Sequence, residues 1–149
     1  MALLLSVHEF VEEEVVLLIG NVVAKCFLSY SPSKIEVGKQ YEVEFEMMLP
    51  VKTLVILAEE TKLAVEMIGG GFSCVLFGYL DGGLFRSFVD FDDQDIHYDY
   101  PEFNEQYVRI TVERVNVIFD WCLIFLGKMF GRLFQNVPVS MKTAYANFV

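Results

Sequence analysis

Histidine is scarce in this sequence, and so is positive charge. The two histidines, His8 and His97, stand far apart, and Cys26, Cys74 and Cys122 are widely spaced. No pair of them has the short spacing of a zinc site. An odd number of thiols, each among apolar neighbours, fits buried and reduced side chains rather than a disulfide framework. No Gly-x-Ser-x-Gly, His-Glu-x-x-His or Walker-type sequence occurs. Gly69-Gly70-Gly71 lacks the Lys and Ser/Thr of a phosphate loop and reads as a turn. No cofactor is expected, and an enzyme is the less favoured reading.

Long apolar runs are also missing. The longest uncharged stretch, residues 67–80, contains three consecutive glycines and falls short of the roughly 18 residues that a spanning helix needs. No membrane span is expected. The apolar start Met1-Ala2-Leu3-Leu4-Leu5 has no basic residue before it and meets Glu9 and Glu12-Glu13-Glu14. That pattern is unlike an export signal, so a cytoplasmic location is the expectation.

What is present is grease and acid. Hydrophobic residues make up 54 % of the 149 positions and aromatics 15 %. That is enough for one domain over residues 1–149 and for a surplus of apolar surface. A partner, or a second copy in a homodimer, would cover that surplus. Residues 1–120 hold all 21 acids and eight of the 11 bases, whereas residues 121–149 hold Lys128, Arg132 and Lys142 and no acid. A field of this sign repels phosphate backbones, which disfavours nucleic acid, and attracts a basic protein.

The patterning predicts an α+β, β-rich fold: a curled antiparallel sheet or small, partly open β-barrel with one intervening helix and a C-terminal amphipathic helix. Residues 15–19 and 22–28 flank Gly20-Asn21, a pair suited to a tight II′ hairpin. Residues 6–14 fit a short helix, with Ser6 and Glu9 in capping-box spacing, or a strand. Residues 41–49 alternate apolar positions with Glu42, Glu44 and Glu46, as in a strand with one wet face.

Residues 53–68 place Leu54, Leu57, Ala58, Thr61, Val65 and Ile68 on one helical stripe. A helix is expected there, against two short strands turning near Glu59-Glu60. Asp81-Gly82-Gly83 predicts a hairpin between residues 73–80 and 84–91. In residues 107–119 the alternation changes phase at Glu113-Arg114, predicting a bulge or sharp bend. After Asp120, residues Cys122, Leu123, Leu126, Met129, Phe130, Leu133 and Phe134 form the apolar face of the expected last helix.

The densest local signal is residues 90–105. Asp90, Asp92, Asp93, Asp95, Asp99, Glu102 and Glu105 are interleaved with Phe91, His97, Tyr98, Tyr100 and Phe103, with no Lys or Arg. No register places Gly at position 6 and Glu at position 12, so this is not an EF-hand. Aromatics among acids suit a recognition surface for a basic protein, because rings anchor interfaces and charge steers encounter. The candidate partner-binding residues are Asp90, Asp92, Asp93, Asp95, His97, Tyr98, Asp99, Tyr100, Glu102 and Phe103, with Glu42, Glu44 and Glu46 as an extension.

The bland alternative is a solvated loop whose rings fold back on the core. The functional expectation is thus a small acidic binding protein, for instance an inhibitor of a basic, nucleic-acid-active partner. Two alternatives are an oligonucleotide/oligosaccharide-binding (OB-like) barrel and a weak metal or hydrolase site at Asp95, His97 and Asp99.

Overall fold

A computed structural model describes residues 1–31 and 34–120. The helix expected after Asp120 lies outside them. The described chain is β-rich, with a curled sheet and very little helix. Its contacts divide it into two compact units. Among the described residues, one holds 1–44 and 117–120, and the other is Phe45–Asn116.

The first unit is built on hairpins. Strands β1 (Ala2–Val7), β2 (Glu14–Ile19) and β3 (Val22–Tyr30) pair antiparallel in sequence order. The segment left open between helix and strand is therefore the end of β1, a turn and the start of β2. In that turn the His8 Nδ1 accepts the backbone N–H groups of Phe10 and Val11 at 3.1 and 3.0 Å. The β2–β3 loop has two residues, with Ile19 opposite Val22, and Gly20 takes a φ of 59°. Asn21 keeps an ordinary negative φ, which is the II′ geometry.

Strand β4 (Gln40–Tyr41) pairs with β1. The sheet order runs β4, β1, β2, β3, then a strand at Arg114–Phe119, then β5 (Val43–Met48), whose residues from Phe45 onwards count to the second unit. Leu4, Val15, Leu17, Cys26, Val117 and Phe119 are fully buried in this unit. Each large apolar side chain so buried contributes about 2 kcal/mol.

In the second unit the expected helix over residues 53–68 is replaced by two strands. They are β6 (Leu54–Leu57) and β7 (Ala64–Met67), with bends at Glu59-Glu60. The strongest hairpin prediction holds: β8 (Cys74–Asp81) returns as β9 (Leu84–Arg86), with Asp81 opposite Leu84 and a two-residue Gly82-Gly83 loop. The return then breaks at Ser87, whose hydroxyl donates to the Phe77 carbonyl at 2.7 Å, and resumes as β10 (Asp90–Asp92).

A six-residue helix α1 (Gln94–Asp99) and a 3₁₀ turn over Pro101–Phe103 lead to β11 (Tyr107–Val112). Strand β12 (Arg114–Phe119) follows. The phase slip at Glu113 is where the chain leaves the second sheet for the first. In the second sheet β8 is central. It pairs with β11 on one side and with both β7 and β9 on the other, while β6 and β10 form edges. Two sheets with twelve strands among the described residues are not the five-stranded barrel of the OB type.

Candidate functional site

The acidic segment does not fold as one loop, and its members separate according to what each touches. In β10, Asp90 and Asp92 point outward on either side of Phe91, which is buried at 2 % exposure. The alternation of a strand dictates this: the ring goes in and both carboxylates go out. Phe91 stacks on Phe85 and meets Phe88 edge-on at 5.8 Å, and Phe88 meets Phe45 of β5 edge-on at 5.6 Å. This chain of rings ties β10 to β5. Between the two strands it leaves a recess of about 220 Å³, rimmed by Glu46, Asp90, Asp92 and Asp93 over Phe45 and Met47.

Asp93 also starts α1. Its Oδ1 accepts the N–H of Ile96 at 3.1 Å, satisfying one of the free donors at the helix start. Among the described residues, the carboxylates of Glu46, Asp90 and Asp92 have no ion pair or side-chain hydrogen bond, and no Lys or Arg lines the recess. The site can therefore present three uncommitted negative charges and a fourth that caps a helix.

Further along, Ile96 is buried and pins α1 to the unit, leaving Asp95, Tyr98 and Asp99 on its wet side. Tyr98 is 74 % exposed. His97 is half-buried and its ring lies 6.1 Å from that of Tyr98. Asp95 and Asp99 are two positions from His97, a spacing that turns side chains to different helix faces. No three His, Cys, Asp or Glu side chains converge as a metal ligand set among the described residues. Asp95, His97 and Asp99 are therefore not gathered into such a ligand set.

Tyr100 and Phe103 stack on each other at 5.7 Å, and the Tyr100 hydroxyl donates to the Thr53 carbonyl at 2.8 Å. These two rings brace the turn before β11. Glu102 is exposed, and its carbonyl accepts the Gln106 side-chain amide at 3.0 Å.

Of the ten candidate residues, the recess gathers Asp90, Asp92 and Asp93. It adds Glu46, which the alternating acids of residues 41–49 had offered as an extension. Its row-mates Glu42 and Glu44 lie elsewhere, in the first unit. There they and the desolvation of its carboxyl raise the pKa of Asp120, burial having the larger effect. Phe45 and Met47 carried no functional signal, because apolar residues alternating along a strand read simply as core.

Within the second unit the described residues thus bring four carboxylates around one recess. The chain belongs to the family described as uncharacterised conserved protein UCP019853, whose model matches residues 1–119 and so takes in every described strand and the whole recess. No curated protein and no solved structure matches it. Among the described residues no helix is long and apolar enough to cross a membrane.

Proposed function

We propose that this protein is an acidic binding module whose β5–β10 recess receives a lysine or arginine side chain from a basic partner protein. The observation that carries this reading is the recess itself, with Glu46, Asp90, Asp92 and Asp93 on its rim and no base among its lining residues. A space of about 220 Å³ suits one long side chain rather than a helix or a strand. Apolar Phe45 and Met47 would meet the methylene stem while the carboxylates meet the charged head.

Each exposed ion pair adds only about 0.2–1 kcal/mol, so the acids confer specificity and rapid encounter more than raw affinity. The surplus of acid over residues 1–120 extends the same field outward. Partners of this chemistry include proteins whose own sites grip nucleic acid, and masking such a site is the inhibitory role that the charge suits. A cytoplasmic setting belongs to the same proposal.

The test is binding of an arginine-rich peptide probe over a range of salt concentrations. Affinity should fall steeply as salt rises, and the combined Glu46→Gln, Asp90→Asn, Asp92→Asn variant should bind at least tenfold more weakly. Asp95→Asn with Asp99→Asn, away from the recess, should stay within about twofold. Affinity indifferent to salt, or an unchanged constant in the triple variant, would remove the proposal.

A further inference from the structure

A second recess lies in the same unit and has a different character. Residues Cys74–Phe77 of β8 pair with β11 on one side and β7 on the other, and β6 lies beyond β11. The chain from Ala58 to Leu63 must therefore pass over β11 and β8 to join β6 to β7. It passes over the sheet face that carries Ile56, Arg109 and Phe77, which are register neighbours across three strands. The Lys62 ammonium sits 4.0 Å from the centroid of the Phe77 ring and fixes the far end of this strap. Under its near end is a recess of about 340 Å³, lined by Ile56, Leu57, Phe77, Arg109, Glu59 and Glu60 among others.

The charges around this recess are not all equivalent. Lys62 is clamped between Glu60 and Glu66, at 2.9 Å to each, so both of those carboxylates are already engaged. Arg109 and Glu59 share the recess, and among the described residues neither has an ion pair or a side-chain hydrogen bond. One uncommitted guanidinium and one uncommitted carboxylate thus flank an apolar wall made by an edge strand. Ile56 on that strand is still 38 % exposed. The volume is at the lower end of the range of roughly 300–1,000 Å³ for small-molecule pockets.

We propose that this recess binds a free α-amino acid with an apolar side chain. The ligand carboxylate pairs with the Arg109 fork, its ammonium with Glu59, and its side chain packs against Ile56. A guanidinium favours a planar carboxylate because two parallel N–H···O bonds match the fork. A simple anion would leave Glu59 opposed to it, and a simple cation would leave Arg109 opposed. Only a dipolar ligand answers both charges. The inference is independent of the acidic recess and uses none of its residues.

Titration calorimetry of the full chain with L-leucine and L-phenylalanine tests it, with leucinamide and N-acetyl-leucine as controls that each delete one charge. Saturable binding of at least one amino acid is expected, at least tenfold weaker for both blocked analogues. Arg109→Gln and Glu59→Gln should each weaken it at least fivefold while leaving the thermal midpoint unchanged, since both side chains are exposed. Absence of saturable binding up to about 10 mM would overturn the proposal. So would leucinamide binding as well as leucine, which would point to the amino end of a peptide, or an Arg109→Gln variant that binds as the parent does.

Discussion

Burial acts on Cys74 and Asp120 in the same direction, and the consequences differ. The Cys74 thiol is pushed up to about 11 by desolvation alone. At pH 8 only about one molecule in a thousand then carries the thiolate at this position, and the thiolate is the reactive form. Alkylation at pH 8, followed by mass-spectrometric mapping, should leave the Cys74 peptide unmodified until urea unfolds the chain. Rapid labelling of the native protein at that site would contradict the burial.

The Asp120 carboxyl is raised by loss of solvent and, secondarily, by Glu44 and Glu42. Glu42 itself has a buried Oε2 with no hydrogen-bond partner among the described residues. Because the folded state holds the Asp120 proton more tightly than the unfolded state, its contribution favours folding at low pH and is lost as pH rises through the folded value. At neutral pH the group is ionised and unfavourable. Asp120→Asn should therefore raise the thermal midpoint at pH 7 by roughly 1–3 °C, and the gain should shrink as the pH approaches the carboxylate range.

At the scale of elements, the hairpins were legible because the turn residues are local. Gly20-Asn21 and Asp81-Gly82-Gly83 name their own geometry, although in the second case Asp81 belongs to the strand and the two glycines make the loop. Residues 53–68 were not legible, for a physical reason. Strands β6 and β7 are four residues each, and exposed Leu54, Ile56 and Leu57 give β6 apolar character on both faces. Periodicity cannot separate such short strands from a helical stripe. The deciding contacts, to β11 and β8, are distant in sequence.

Helix α1 was missed as well, being too short for a period and announced only by its Asp93 cap. One glycine has a packing duty that no local rule reveals. A Cβ at Gly78 would collide with the Arg86 carbonyl and the Phe85 ring. Gly78→Ala should cost about 3 kcal/mol, read from urea unfolding, because backbone as well as side chain would have to move. A loss below 0.5 kcal/mol would show that the β8–β9 contact is looser than the geometry requires.

For the whole molecule, the uneven charge was visible from composition alone, but its focus was not. The acids at positions 90–93 stood out by density and Glu46 by alternation, yet the recess exists only because aromatic packing brings β5 and β10 together. The same is true of the amino-acid recess, whose floor and roof come from three separate stretches of chain. The overall acid excess makes a general prediction. Solubility should be lowest near pH 4.5, where the net charge vanishes, and light scattering should fall away on either side.

The division of contacts also fixes an order of events at the ribosome. The second unit is one uninterrupted stretch, Phe45–Asn116, whereas the first is written in two pieces, before residue 45 and after residue 116. The inner stretch can close on itself as soon as its own last strand has emerged. The outer one must wait with β1 to β3 already made until Val117 and Phe119 arrive to complete its interior. Nascent chains halted just before Val117 would therefore carry a finished insert inside an unfinished host, with the early hairpins as the part most in need of protection.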